Sequence, residues 1–249
     1  MNEIKPVLTW AQRDGYLRAT LSRPKARNAI NSEVVAALHE LCSVLEADPQ
    51  VLVFSGSDKI FAAGADIGDL KQRQPDDALK GINSRVFERL ARLPMPTIAL
   101  VDGPAVGGGA ELAYAFDIRV ATPDATFSNP EVGLGIIAAA GAGWRLPQLV
   151  GPSVARQILL AGRRLSAEDA LAFGLVMEIV SSEDSEVRLA SIAHRMGRSS
   201  PRALALTKIV LSAPSAAHPQ VDDLAQGMLF GTEDAITRMT AFLEGKGQR

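Results

Sequence analysis

The chain has 249 residues, of which 47% are hydrophobic, so it can bury a substantial core in one large domain or in a domain with an appendage. A net charge of −2 and an aromatic content of 5% provide neither the basic surface nor the stacking rings typical of nucleic-acid-binding proteins. One cysteine excludes an intrachain disulfide. No apolar run reaches the roughly 18 residues of a membrane span, and the N-terminal residues lack a signal-peptide pattern. A cytoplasmic protein without a membrane partner is therefore expected.

The N-terminal part of the chain is predicted to form two strands and a helix. Residues 7–10 and 16–21 are short strands around a polar turn. Asn31 or Ser32 caps a helix that ends at Asp48-Pro49. Its apolar residues recur at helical spacing: Val34, Val35, Leu38, Leu41, Cys42 and Leu45. The single cysteine is therefore expected to be a small buried residue.

Strands and helices alternate through the middle of the chain. Further strands are predicted at residues 51–55, 97–101, 118–121 and 126–128, with helices at 75–92 and from Gly107 to about residue 116. This alternation favours an α/β fold. It leaves open whether the sheet is doubly wound or the chain is a spiral of strand-strand-helix units.

From about Ser185 onward the strand signals disappear and four helices are predicted, at residues 185–198, 201–211, 221–230 and 232–243. No linker, low-complexity tract or fixed-period repeat separates the parts of the chain. The prediction is a core over residues 1–184 and a C-terminal helical region over residues 185–249.

Two glutamates near a glycine turn are the leading candidates for chemistry. Three glycines, 107–109, precede Glu111, and Asn129-Pro130-Glu131 follows twenty positions later. Glycines let backbone N–H groups approach a ligand closely, and paired carboxyl groups suit acid/base work. Each feature also has an ordinary explanation, because glycine turns often enter helices and Glu131 alone is typical of a loop carboxylate.

The sequence does not match other common catalytic or cofactor-binding motifs. The glycine segment has Leu112 where a dinucleotide fingerprint needs its last glycine, and the P-loop, GxSxG and HExxH patterns are missing. The three histidines, His39, His194 and His218, are too dispersed to predict a metal site or a triad. Catalysis is therefore expected to use carboxylates and backbone dipoles, with no metal.

Four further segments carry a resemblance to a known family. They are Arg23-Pro24-Lys25-Ala26-Arg27-Asn28-Ala29-Ile30-Asn31, Phe61-Ala62-Ala63-Gly64-Ala65-Asp66-Ile67, Leu134-Gly135-Ile136 and Arg145-Leu146. Together with the glycine turn and the two glutamates, in this order and spacing, they resemble the crotonase (enoyl-CoA hydratase/isomerase) superfamily over nearly the whole chain. The resemblance implies a spiral α/β fold whose C-terminal helices pack on neighbouring subunits, in a homotrimer or a dimer of trimers.

The resemblance also implies roles for individual residues. The backbone N–H groups of Ala65 and Gly108 would form an oxyanion hole, Glu131 would exchange a proton with the α-carbon, and Glu111 would hold and polarise water. Acyl-CoA would be contacted by Lys25, Ala26, Arg27, Ala63, Asp66, Ile67 and Gly107. Coenzyme A is part of the substrate, and no separate cofactor is expected.

The leading hypothesis is hydration of trans-2-enoyl-CoA to 3-hydroxyacyl-CoA. Isomerisation or another crotonase reaction, and non-catalytic acyl-CoA binding, remain alternatives; a glycosidase is disfavoured by the few aromatic residues and the glycine turn. One segment departs from the family. Hydratases usually read Gly-Thr-Ile-Pro-Gly-Ala-Gly-Gly-Thr after the second glutamate, whereas this chain has Ala138-Ala139-Ala140 and then Trp144. Ala139 is expected to add a Cβ beside the carboxylate, and Trp144 to shape the pocket or fill core.

Overall fold

The computed structural model describes residues 6–245, in which the strands form two sheets. In chain order the strands are β1 (Leu8–Arg13), β2 (Tyr16–Leu21), β3 (Val51–Gly56), β4 (Thr97–Val101), β5 (Pro104–Val106), β6 (Ile118–Ala121), β7 (Thr126–Ser128), β8 (Leu165–Ser166) and β9 (Glu178–Ile179). The larger sheet has the order β1-β2-β3-β4-β6-β9 and is parallel except for the β1–β2 pair. The smaller sheet has the order β5-β7-β8.

Helices occupy the connections and the C-terminal part. They are α1 (Ser32–Ala47), α2 (Ile67–Gln72), α3 (Pro75–Leu79), α4 (Ile82–Ala91), α5 (Gly108–Tyr114), α6 (Ala142–Ala161), α7 (Ala167–Ala172), α8 (Ser185–Gly197), α9 (Pro201–Ser212), α10 (Gln220–Gly227) and α11 (Glu233–Leu243). Parallel strands require crossover connections, and these helices supply most of them.

Isolated bridges extend the smaller sheet and reveal the repeat. Ala62 pairs with Ala105 of β5, and Ile30 pairs with Ala65. Successive turns of the chain therefore place one strand in the larger sheet and one segment in the smaller layer. This arrangement confirms the predicted α/β spiral of strand-strand-helix units and not the alternative, a doubly wound sheet.

Helix α1 forms as its sequence predicts. The Asn31 side chain accepts a hydrogen bond of 3.0 Å from Val34 N, which satisfies one of the free N–H groups at the helix start. The predicted apolar face is buried in full, and Cys42 lies within it. Burial raises the pKa of the Cys42 thiol to about 11, so this cysteine is a packing residue.

Two helices before α5 differ from the prediction. The single helix expected at residues 75–92 is divided into α3 and α4, because Gly81 takes a left-handed conformation with φ of 61°. The short helix α2 was not predicted. It begins after Asp66, whose side chain accepts a hydrogen bond of 3.0 Å from Gly68 N.

The four C-terminal helices are present, but they pack differently. Helix α8 covers the larger sheet, where Leu189 and Ile192 join a buried cluster with Val53 and Ile98 of the strands. Helices α9, α10 and α11 contain no buried residue in this single chain. Over residues 6–245, none of the helices combines the length and the apolar character needed to cross a membrane.

Candidate active site

The glycine turn lies where β5 runs into α5, and close backbone packing explains its composition. Gly107 has φ of 54° and ψ of −125°, and its N–H donates to Ser128 O at 2.7 Å. A Cβ added to Gly109 would lie 2.1 Å from Ala62 O. Glycine is therefore required at Gly109 for the start of α5 to approach the 62–65 segment.

Two backbone N–H groups, of Ala65 and Gly108, lie close together beside this turn. Ile30 N donates to Gly64 O and Asp66 N donates to Ile30 O, so the intervening Ala65 amide points away from Ile30. A Cβ built on Gly108 would lie 3.4 Å from Ala65 N, which puts the two nitrogens less than about 6 Å apart. Within residues 6–245 neither N–H has an acceptor. One oxygen atom of a ligand could accept from both.

Glu111 extends from the first turn of α5 into a buried position, where it is 3% exposed. Its Oε1 accepts hydrogen bonds from Ala140 N at 2.7 Å and from Ala142 N at 3.0 Å. Burial raises its pKa to about 7, and the nearby charge of Glu131 acts in the same direction against these backbone donors. The carboxyl group is thus fixed in place and titrates near neutral pH.

Glu131 begins a short 3-10 helix, Glu131–Leu134, and is 8% exposed. Its Oε1 lies 3.5 Å from Asn129 Nδ2, and its Oε2 is buried without a partner among the described residues. A Cβ on Gly107 would lie 3.0 Å from Oε1, so the turn also makes room for this carboxyl group. Burial raises the pKa of Glu131, while the Asn129 contact opposes the rise.

Asn129 and Tyr114 are site residues that the sequence analysis missed. Tyr114 OH donates to Asn129 Oδ1 at 3.1 Å, and both side chains are buried. Asn129 Nδ2 faces Gly107 O at 3.4 Å as well as Glu131. Because the amide donates on that side, the tyrosine hydroxyl fixes its orientation. The Asn129-Pro130-Glu131 order was a signal for Asn129, but nothing in the sequence pairs it with Tyr114.

The other predicted substrate contacts lie on segments that neighbour Ala65, along the chain or through a backbone hydrogen bond. Lys25 and Arg27 are exposed, and the half-buried Ala26 lies between them on a 3-10 turn. This turn rests on the site segment, since Ala63 N donates to Arg27 O at 3.1 Å. On the far side of Ala65, Asp66 caps α2 and pairs with Arg23 at 3.5 Å, while Ile67 is 59% exposed.

The segment that departs from the family contacts Glu111 differently from the expectation. The donors to Glu111 are Ala140 and Ala142, whereas Ala139 is exposed to solvent. Trp144 does not fill core either, because it is 47% exposed with the Arg145 guanidinium 5.2 Å from its ring centroid. Substituting alanines for glycines here leaves two backbone donors on the carboxyl group.

The three histidines lie on different elements and contact different residues. His39 is on α1 beside Arg89, His194 is on α8 against Asp14, and His218 follows α9 beside Asp222. Over the described residues, no three His, Cys, Asp or Glu side chains are grouped to hold a metal ion.

Comparison with known proteins identifies the family. The enoyl-CoA hydratase/isomerase family model matches residues 12–247. The chain is 37% identical over 234 residues to short-chain-enoyl-CoA hydratase of Clostridium acetobutylicum, with 90% of each protein covered. It is 36% identical over 235 residues to crotonyl-CoA hydratase of Syntrophomonas wolfei, again with 90% of each covered. The structure of enoyl-CoA hydratase from Bacillus anthracis superposes with a TM-score of 0.91 at 26% identity over 98% of both chains. The chain belongs to the enoyl-CoA hydratase/isomerase family.

Proposed function

We propose that this protein adds water to trans-2-enoyl-CoA to give 3-hydroxyacyl-CoA. The observation that carries the proposal is the placement of two buried glutamates beside the N–H groups of Ala65 and Gly108, which have no acceptor among the described residues. The similar proteins named as short-chain-enoyl-CoA and crotonyl-CoA hydratases support the same reaction.

The two N–H groups would form the oxyanion hole. When water attacks the β-carbon of an enoyl thioester, electrons move through the α-carbon toward the thioester oxygen. Donors fixed at that oxygen stabilise the developing charge more than the ground state, and each is typically worth about 2.7–4 kcal/mol. Ala65 and Gly108 suit this role because a methyl group and a hydrogen atom leave the backbone amides accessible.

One of the two glutamates would be protonated and the other ionised, and the two would exchange these states during the reaction. Glu111, whose Oε1 is held by two backbone N–H groups and whose pKa of about 7 is close to neutrality, is suited to accept a proton from water. Glu131, whose Oε2 has no donor among residues 6–245 to stabilise a charge, is assigned the proton that goes to the α-carbon. The water oxygen bonds to the β-carbon and loses a proton to Glu111, while Glu131 gives its proton to the α-carbon. Proton exchange between the two carboxyl groups, through solvent, restores the starting state.

The fixed position of Glu111 favours hydration over the alternatives. Isomerisation needs proton transfer at carbon, for which one carboxyl group suffices. A second carboxyl group held by two backbone donors suits the orientation of water. A protein that only binds acyl-CoA has no functional need for two buried carboxyl groups. Because burial raises the pKa of both, their ionisation near neutral pH reduces the stability of the fold.

Substrate placement and location complete the proposal. Lys25 and Arg27 would meet the phosphates or adenine of coenzyme A, and the remaining proposed contacts are Ala26, Ala63, Asp66, Ile67 and Gly107. Coenzyme A enters as part of the substrate, and the proposed chemistry uses no metal or separate cofactor. The buried, unpaired Cys42 supports a reducing compartment, which we propose to be the cytoplasm.

We also propose that the chain forms a homotrimer or a dimer of trimers. Residues 1–184 would supply the reacting groups, and residues 185–249 the assembling helices. Exposed apolar side chains on α9, α10, α11 and the connection between the last two support this division; they are Ile209, Leu211, Leu224, Met228, Phe230, Ile236, Met239, Phe242 and Leu243.

Substitution of Glu131 tests the proposed chemistry. Glu131→Gln should lower hydration of crotonyl-CoA by roughly 10²-fold or more, because the carboxyl proton donor is lost. The change is nearly isosteric, so the protein should still fold. Activity is followed as loss of conjugation in the ultraviolet, with the exposed Glu40→Gln as the matched control. A folded Glu131→Gln protein with full activity would rule out the assignment.

A further inference from the structure

Asn83 is an unusual residue at the edge of the proposed oxyanion hole. The buried residues of α4 are Asn83, Val86, Phe87 and Leu90, which share one helix face. Asn83 is the polar member of this stripe and is 9% exposed. An amide buried without its hydrogen bonds destabilises a protein by roughly 1–3 kcal/mol. Its polar atoms therefore need partners, from the protein, from solvent or from a ligand.

The structure supplies a partner for only one end of the amide. Arg73 Nη2 donates to Asn83 Oδ1 at 3.4 Å. Because arginine only donates, this contact fixes the oxygen toward Arg73 and turns Nδ2 the other way. Nδ2 has no acceptor among residues 6–245.

Nδ2 faces the position where Gly108 lacks a side chain. A Cβ built on Gly108 would lie 3.9 Å from Asn83 Nδ2 and 3.4 Å from Ala65 N. A ligand atom that packs against Gly108 would thus lie near both donors.

We propose that Asn83 is a third hydrogen-bond donor to the thioester oxygen of the substrate, acting beside the N–H groups of Ala65 and Gly108. This inference rests on the proposed function, because it assumes that an enoyl thioester binds beside these donors. The hydrogen bond from the side-chain amide would strengthen as the thioester oxygen gains negative charge, and it would act together with those from the two backbone N–H groups. Arg73 is a positioning residue that holds the amide in the donating orientation.

The probe for this proposal is 4-dimethylaminocinnamoyl-CoA, whose conjugated thioester absorbs at longer wavelength when its carbonyl oxygen is polarised. Binding to the unaltered protein should shift the absorbance to longer wavelength. Asn83→Leu should reduce this shift and lower kcat/KM for crotonyl-CoA by roughly 10- to 100-fold, mainly through kcat. Asn83→Asp, which keeps the shape but replaces the donor with an acceptor, should lose at least as much.

Two further variants separate donation from packing. Arg73→Met should cause a smaller loss in the same direction, because it removes only the contact that orients the amide. Ser84→Ala, on the adjacent position of α4, should leave both the absorbance shift and kcat/KM unchanged. If Asn83→Leu does not fold, Asn83→Asp and Arg73→Met carry the test.

The outcomes distinguish failure of this inference from failure of the proposed function. An unaltered protein that neither hydrates crotonyl-CoA nor shifts the probe overturns the proposed function, and the role of Asn83 falls with it. An active protein whose folded Asn83 variants keep the full shift and stay within twofold of its kcat/KM overturns the role of Asn83 alone.

Discussion

Glu111 and Glu131 have the same side chain but differ in what their oxygens contact. Two backbone N–H groups reach Oε1 of Glu111, whereas Glu131 has one long contact to Asn129 and an oxygen without a partner among the described residues. Burial raises the pKa of both. The two backbone donors hold Glu111 in place, and its pKa of about 7 suits a base that takes a proton from water, whereas Oε2 of Glu131 has no donor among the described residues to stabilise a charge, which is why we assign the transferred proton to Glu131.

The titration of Glu111 predicts a pH-dependent effect on stability. Its pKa rises from 4.5 to about 7 on folding, so the stability present below pH 4.5 is lost as the pH rises through 7. Glu111→Gln cannot ionise and should gain stability relative to the unaltered protein between pH 5 and pH 8, by about 3 kcal/mol at most. Urea unfolding at both pH values measures this difference.

Glu40→Gln, which makes the same chemical change at an exposed position of α1, is the control for that experiment. The prediction is contradicted if the stability of Glu111→Gln relative to the unaltered protein is the same at pH 8 as at pH 5, or lower. The surroundings of Glu111 would then not disfavour its charge.

At the scale of elements, the sequence predicts what periodicity and caps determine. The apolar runs of β3, β4 and β6 and the capped, amphipathic α1 match their predictions within a residue or so. The strands β5, β8 and β9 are two or three residues long and show no period. Helix α6 was not predicted because Pro147, Gly151 and Pro152 interrupt it.

The same limit applies to the site. The glutamates and the glycine turn are close in sequence and could be proposed from it, and the resemblance supplied Ala65. Asn83 is on a different element, and its contact with the Gly108 position depends on how α4 and α5 pack. No local pattern predicts such a contact, nor the Tyr114–Asn129 hydrogen bond.

Close packing at the junction of β5 and α5 predicts that an added Cβ is tolerated far less at Gly109 than at Gly133, which lies in the 3-10 helix Glu131–Leu134. Gly109→Ala should destabilise the protein by roughly 1–3 kcal/mol, because its Cβ would lie 2.1 Å from Ala62 O and must displace the 62–65 segment. Hydration should also be lost, since that segment carries Ala65. Gly133→Ala, whose Cβ would meet nothing within 4 Å, is the control and should change stability by less than about 0.5 kcal/mol. Thermal unfolding and crotonyl-CoA hydration measure both effects, and equal behaviour of the two variants would contradict this account.

At the scale of the whole molecule, the C-terminal helices contrast with the core. Helix α8 contributes Leu189 and Ile192 to the buried cluster on the larger sheet. Helices α9 to α11 bury no residue, and their apolar side chains include Phe242, which is 74% exposed. The exposure of so many large apolar side chains on neighbouring helices is typical of protein interfaces. A closed ring of identical chains would cover it in every copy without leaving an open end.

Assembly is therefore predicted to depend on these helices. Light scattering should give a native mass of three or six chains, and Phe242→Asp should reduce it by placing a charge in the apolar contact. The single chain should still fold, because Phe242 contributes nothing to its buried core. Deletion of residues 221–249 should likewise yield single chains or aggregate. Ala36→Asp, which adds a charge at an exposed position of α1, should leave the mass unchanged. A native mass of one chain for the unaltered protein would contradict the proposed assembly, and the apolar surface of α9 to α11 would then need another partner.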